Sequence, residues 1–328
     1  MRNDKVRTKS LIEAAVLSAI IVVVMVLSMY VPFFEIIGIA ISPIIICILY
    51  IKHGFKFTTL SIVVSFTLLV ILTNVVYAAT FLIINAIPGI CLGYCIKTKK
   101  SAVATVIIVA VIYVIVIAAS TYIVSYITYN DGIFGVVNKF VLEYKEVLNE
   151  TMEQYQKMGV SADKIEIIKQ SNSQLTSELI LNMLPSCLSI ISIILSFSVY
   201  KILYSVLKKL KIQINPMKDF NKWHLDDKIT ALIIGFIAIS IIMNSKKLYG
   251  AETLLYTAFN LGKLIFVVFG IALISDVLSG RYKLSKTIVF IIVLVSLVFK
   301  ADIIYLIIGI IDSVINFRKI KENFQGNK

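Results

Sequence analysis

Two ionisable side chains lie deep within apolar runs, where a charge is costly and marks a functional position by default. Lys263 is ten residues past Thr253 in the run 253–278, and Asp312 is nine residues past Ile303 in the run 303–317. At 1.5 Å per residue, both lie roughly 13–15 Å inside their runs. These matching depths predict that Lys263 and Asp312 pair across two helices. Asn260, one turn before Lys263, shares its face and joins the expected network. Such a pair either fixes helix register or relays ions, and register is the simpler role. Glu13 and Asp276 lie near the ends of their runs and reach water.

Other chemistry is sparse. Cys47, Cys91, Cys95 and Cys187 all sit in apolar stretches. The spacing of Cys91 and Cys95 is not that of a redox or zinc motif, so the four read as small core residues. His53 and His224 are the only histidines, and no metal site is expected. Gly262-Lys263 is followed by Leu264 inside an apolar run, so it is not a phosphate-binding loop. Neither a Gly-x-Ser-x-Gly elbow nor a His-Glu-x-x-His pair occurs. The chain is not expected to be an enzyme, and no cofactor is implied.

The elements that must position these residues follow from composition. Of 328 residues, 59% are hydrophobic and 16% charged, against roughly 45–50% and 25% in soluble domains. Mean hydropathy is +0.93. The fold class is an all-α polytopic membrane protein in a lipid bilayer. Ten spans are expected, at 11–30, 36–50, 57–73, 75–95, 102–126, 179–206, 229–243, 253–278, 287–299 and 303–317. The last two are short and nearly contiguous, and form either two spans or one re-entrant hairpin. The first run is too long for a signal-peptide core and reads as a span.

The formal charge of +13 follows from topology, and nucleic acid is not an expected partner. Basic residues cluster in alternate connections: Arg2 to Lys9, Lys52 and Lys56, Lys97 to Lys100, Lys208 to Lys228, Arg281 to Lys286, and Arg318 to Lys328. The opposite short loops hold little beyond Lys246, Lys247 and Lys300. This asymmetry places both termini in the cytoplasm. Residues 127–178 break the pattern as a long outer insertion with eight acids and five bases. Phe140, Tyr144, Leu148 and Tyr155, with Val141, Val147 and Met152, recur at helical spacing. Gly159 stops that helix and Ser161 caps a second. The segment reads as a helical hairpin, resting on its own partner arm or forming a lid over the outer mouth.

Small residues four apart, Ala15 with Ala19 and Gly89 with Gly93, suit close helix packing or a partner helix. Pro32, Pro43, Pro88 and Pro185 flank or enter spans and free backbone groups that neighbours or a cavity must satisfy.

The loop Ile214-Asn215-Pro216-Met217-Lys218-Asp219-Phe220-Asn221-Lys222-Trp223-His224-Leu225-Asp226 resembles the proline-then-Phe-x-x-Trp-x-Leu-Pro signature of the YybS-like family of bacterial membrane proteins, whose function is unknown. Asp226 stands where that family usually has proline. Leu184-Pro185, Gly270-Ile271-Ala272, Gly309 with Asp312, and Phe317-Arg318 agree with the same pattern. The first six spans also resemble the substrate-binding S component of energy-coupling-factor vitamin transporters. Ala15 and Ala19 match that component's coupling-subunit contact, and Gly89, Gly93 and Lys97 match the end of its fourth helix. The outer insertion and the four further spans depart from it.

The expected architecture is an S-component-like six-helix bundle with its outer hairpin (1–206), a basic cytoplasmic loop (207–228) and a C-terminal four-helix bundle (229–328), in the bacterial inner membrane. The expected function is binding or transport of a small vitamin-like or hydrophobic solute entering under the hairpin, lined by Tyr30, Phe34, Glu35, Tyr77 and Asn182. Coupling-factor subunits are implied partners. The alternative is a non-transporting scaffold that recruits cytoplasmic or envelope partners, in which Pro216, Phe220 and Trp223 matter more than any pocket. Trp223 also suits an anchor at the bilayer surface.

Overall fold

The computed structural model describes residues 2–129 and 131–315. Phe317, Arg318, Lys319, Lys321 and Lys328 therefore lie outside the described residues. Every regular element among those described is helical: α1 (Arg2–Tyr30), α2 (Phe34–Leu72), α3 (Val75–Lys97), α4 (Ala102–Thr128), α5 (Gly132–Lys157), α6 (Ala162–Ser173), α7 (Ser177–Lys209), a 3₁₀ turn (Phe220–Lys222), α8 (Asp227–Ser245), α9 (Ala251–Gly280), α10 (Lys286–Val298) and α11 (Asp302–Ile315).

Local chemistry sets the helix ends. The side chains of Asn74, Ser101, Thr176, Asp226 and Ser285 each accept a backbone N–H in the first turn of the following helix, which satisfies donors a helix start leaves open. Asp226, the departure from the proline of the resembling family, is thus the cap of α8. Ser161 occupies the start of α6 without a side-chain cap bond. Just beyond α3, α7, α8, α9 and α10 stand Lys99, Lys211, Lys247, Lys283 and Lys300, all with positive φ. This left-handed geometry closes a helix, and a cation there faces the negative end of the helix dipole.

Among the described residues, seven helices are long and apolar enough to cross a membrane, and counting the bent pair α10–α11 as one span makes eight. The expected ten and this count part in two places. The expected spans 36–50 and 57–73 both lie in the 39-residue α2, and the last two are legs of 13 and 14 residues bent by 115°, a re-entrant hairpin being one of the two expected alternatives. Within α2 the helix is interrupted at Gly54, with φ 79° and ψ 178°. Hydrogen bonds to α1 show what this break does. Ser28 donates to the Phe34 carbonyl, and Glu13 accepts from His53. Beyond Gly54, Ser61 donates to the Ala14 carbonyl and Ser65 to the Ser18 carbonyl. Contacts descend α1 up to residue 53 and climb it from residue 61, so α2 doubles back at Gly54 into legs 34–53 and 55–72.

The described chain forms two compact units. One comprises residues up to Leu181 together with Ile191–Pro216; the other comprises Asn182–Ile190 and the described residues from Met217 on. The division falls inside the expected basic loop, and a stretch of α7 goes with the second unit.

In the first unit α1, both legs of α2, and α3 enclose a core of Ile21, Val22, Met25, Ile45, Ile46, Leu69, Ala78, Phe81, Leu82 and Ala86. Asn215 donates to the carbonyls of Lys99 and Lys100, and Tyr200 donates to the Asn215 carbonyl. These bonds strap the segment after α7 onto the α3–α4 turn. Helices α5 and α6 form the hairpin expected at 127–178, turning at Gly159 with φ 81°. Val137, Val141, Met152 and Ile165 are its buried apolar residues. Phe140 stacks on Tyr144, whose hydroxyl donates to Asn172 across the hairpin. Phe140, Val147 and Tyr155 remain exposed.

In the second unit α8 and α11 flank α9, and the turn Phe220–Lys222 packs on α9.

Candidate functional site

The site is built on α9 and the pair α10–α11. Lys263 lies about 18 Å along α9 from Ala251 and about 25 Å from Gly280, at 1.5 Å per residue. Its Nζ stands 2.6 Å from the Asp302 carboxylate, at the first residue of α11. Gly270 and Gly309 then bring the two backbones together. A Cβ on Gly270 would lie 2.0 Å from the Tyr305 carbonyl oxygen, and one on Gly309 would lie 1.9 Å from the Phe266 carbonyl oxygen. Only glycine permits this approach.

These contacts fix the direction of the hairpin. From Asp302 to Gly309, α11 passes from Lys263 to Gly270, so it runs parallel to α9. Helix α10 begins just after α9 ends and returns to the same tip, about 20 Å away for 13 residues. Both legs therefore lie beside the half of α9 that ends at Gly280. Ser296 and Tyr305 join the legs through their hydroxyls at 2.6 Å. The turn 299–301, with Lys300 in left-handed geometry, forms the tip.

Lys263 therefore pairs with Asp302 instead of Asp312. Equal depth along two runs implies pairing only where both runs start at a membrane face, and α11 starts beside the middle of α9. Asp312 lies ten residues, about 15 Å, further along α11, and is buried. Asn260 does not join Lys263 either; its amide donates to Ser186 on α7. Asn182 extends this second polar contact, accepting from Thr253 at 2.6 Å and donating to Glu252 at 3.0 Å. These bonds tie the α7 segment 182–190 to the first part of α9.

The Lys263 and Asp302 side chains are 52% and 32% exposed. The pair thus presents an open side at the hairpin tip. Against acyl chains such a side is strongly unfavourable, so it calls for water or another polar group. Chemically, the tip offers a cation and a carboxylate side by side, next to a turn of backbone. Among the described residues, no group of three His, Cys, Asp or Glu side chains is placed to hold a metal.

The other expected site residues are distributed differently. Tyr77 donates to the Met25 carbonyl and packs on Phe81, so it serves helix packing. Tyr30 and Glu35 are exposed, Phe34 is half-buried, and its carbonyl accepts from Ser28. Asn182 belongs to the second unit and bonds there. Gly89 and Gly93 are buried against α2: a Cβ on Gly89 would strike Ile46 and the Pro43 carbonyl, and one on Gly93 would strike Tyr50. They pack within the chain. Ala15 and Ala19 are exposed, while Ala14 and Ser18 face the core. Pro216 is exposed and closes the first unit. Trp223 donates to the Lys218 carbonyl and its ring meets Phe220 and Phe269, which pins the loop to α9.

Asp302, Ser186 and the facing role of Gly270 and Gly309 escaped the sequence reading. Asp302 falls between two expected spans in the sequence, and nothing in the apolar pattern around Gly270 and Gly309 shows that they face each other.

No curated protein and no solved structure matches the chain. A family model described as a predicted membrane protein, DUF2232, matches residues 19–313, from the middle of α1 through the Lys263–Asp302 pair to nearly the end of α11, and the chain belongs to this family.

Proposed function

We propose that the chain binds a small solute and carries it across the bacterial inner membrane, without catalysis, and that the α10–α11 tip is where the solute meets the protein. The observation that carries this reading is the part-exposed Lys263–Asp302 pair, about 18 Å along a membrane helix at the turn of a broken helix pair. Half-helices that end at depth and ionisable groups beside them are the features by which membrane transporters hold solutes and ions. On this reading the end bearing Arg281, Lys283 and Lys286 is cytoplasmic, by the excess of basic residues there, and the hairpin enters from that side. The first unit, by itself, is S-component-like and carries the outer hairpin α5–α6.

The test is to purify the full chain and extract and identify any co-purifying small molecule by mass spectrometry. The expected result is a near-stoichiometric solute with wild type and none with Lys263→Ala or Asp302→Asn protein that melts as one transition. Equal loading of wild type and variants would overturn the assignment of the tip.

The scaffold is the second reading. It is favoured by the α1 face on which Ala15 and Ala19 lie exposed between the exposed Ile12, Val16, Ile20 and Val23. A stable protein partner that survives purification, with no solute, supports it.

A further inference from the structure

The first unit holds a second set of buried polar residues, independent of the tip. Along the α2–α3 contact, Gly38 faces Phe81, Pro43 and Ile46 face Gly89, and Tyr50 faces Gly93. The two segments thus run in the same direction at a constant offset. One turn between Gly38 and Ile46, the facing residues are Ser42 and Asn85. Both are fully buried. Tyr113, also fully buried, lies at about the same level: α4 follows α3 after the short turn 98–101, and Tyr113 is within one residue of being as far from that turn as Asn85. This level is about 15 Å from Val75 and about 18 Å from Lys97 along α3.

Among the described residues, Ser42 Oγ, Asn85 Oδ1 and Tyr113 Oη are buried with no hydrogen-bond partner. Three such orphans at one level are expensive in an apolar bundle and call for a ligand. The Asn85 amide nitrogen donates one of its two N–H groups to the Phe81 carbonyl at 2.6 Å, and its Oδ1 is left as an acceptor without a partner. Two prolines add acceptors. Pro43 and Pro88 lie inside α2 and α3, and a proline leaves the carbonyl four residues earlier without its helical donor. Those carbonyls belong to Ile39 and Ile84, each within a turn of the Ser42–Asn85 pair.

Two hydroxyls, an amide oxygen and two backbone carbonyls are neutral oxygen ligands, which suit a hard cation and not a soft metal. The α3 and α4 sequences hold no acid, and the sole acid of α2 is Glu35 at its start. Divalent ions are held by carboxylates, which leaves a monovalent ion. We propose that Ser42, Asn85 and Tyr113, with the carbonyls of Ile39 and Ile84, form a buried site for an alkali cation, sodium or potassium. Carbonyls freed in interrupted membrane helices serve such ions in this way.

The experiment uses the purified full chain in detergent, melted in sodium, potassium or choline chloride at equal ionic strength, together with equilibrium binding of radiolabelled sodium. A ligand that binds only the folded state raises its melting temperature. The expected result is a saturable rise of a few degrees in sodium or potassium over choline, with the favoured ion identifying the occupant. The rise and any sodium binding are lost in Asn85→Leu and weakened at least tenfold in Ser42→Ala. If Asn85→Leu does not fold, Ser42→Ala and Tyr113→Phe report the same loss. Equal melting of wild type in all three salts, or an undiminished cation effect in the variants, would overturn the site. No solute is added, so this outcome and that of the co-purification test are read separately.

Discussion

Gly270 and Gly309 hold the closest backbone approach between α9 and α11, where a methyl group would meet a carbonyl oxygen within about 2 Å. Backbone cannot give way as a flexible side chain can, so Gly270→Ala and Gly309→Ala are each expected to destabilise the second unit by at least about 2 kcal/mol. Gly235→Ala is the control, since a Cβ there meets nothing within 4 Å; it is expected to be neutral or slightly stabilising. Thermal melts of the three purified variants decide this. The Lys263–Asp302 pair makes a second expectation at this scale. Lys263→Ala and Asp302→Ala each leave a lone charge at the tip, and the double variant leaves none. Its loss of stability should therefore be smaller than the sum of the single losses, and additive losses would contradict the pairing. The sequence made Lys263 conspicuous because a lysine in an apolar run is rare. It did not disclose the partner, because depth counted from a helix end has meaning only when that end lies at a membrane face, and α11 begins beside the middle of α9.

At the scale of elements, two connections carry the design. Gly54 turns α2 back on itself with φ 79° and ψ 178°, a conformation nearly confined to glycine. Gly54→Ala is expected to cost about 1–3 kcal/mol, read as a lower melting temperature, although a Cβ there would meet no neighbour. A melt unchanged from wild type would show that the legs 34–53 and 55–72 do not depend on this turn. The strap formed by Asn215 on Lys99 and Lys100 is the other connection. Asn215→Ala should free the basic segment and raise the rate of trypsin cleavage at Lys211 and Lys218 several-fold, with little change in the melt. The apolar segments themselves were legible, since each expected span corresponds to helix. The stop of α5 at Gly159 was legible too, because glycine supplies the positive φ that ends a helix. A reversal between 50 and 57 and a break at 300–302 were legible from the basic connection and the polar gap, but whether α10 and α11 cross or return was not, because a run of apolar residues carries length but no direction.

For the whole molecule, composition alone makes the membrane the solvent, and the family match agrees with it. The charge of +13 then becomes a matter of which ends of the helices carry lysine. What composition leaves open is where water enters. The account rests on a hairpin, α10–α11, that enters and leaves on one side and holds Lys263–Asp302 at a wet tip. The direct measurement replaces Ala301 with cysteine in a chain whose Cys47, Cys91, Cys95 and Cys187 are changed to alanine, and labels it in sealed vesicles of each orientation with a membrane-impermeant thiol reagent. The account predicts reaction only from the side that bears Arg281 and Lys283. Reaction only from the opposite side would make α10 and α11 two complete spans, and reaction with a lipid-soluble reagent alone would leave the tip in hydrocarbon; either result contradicts the account.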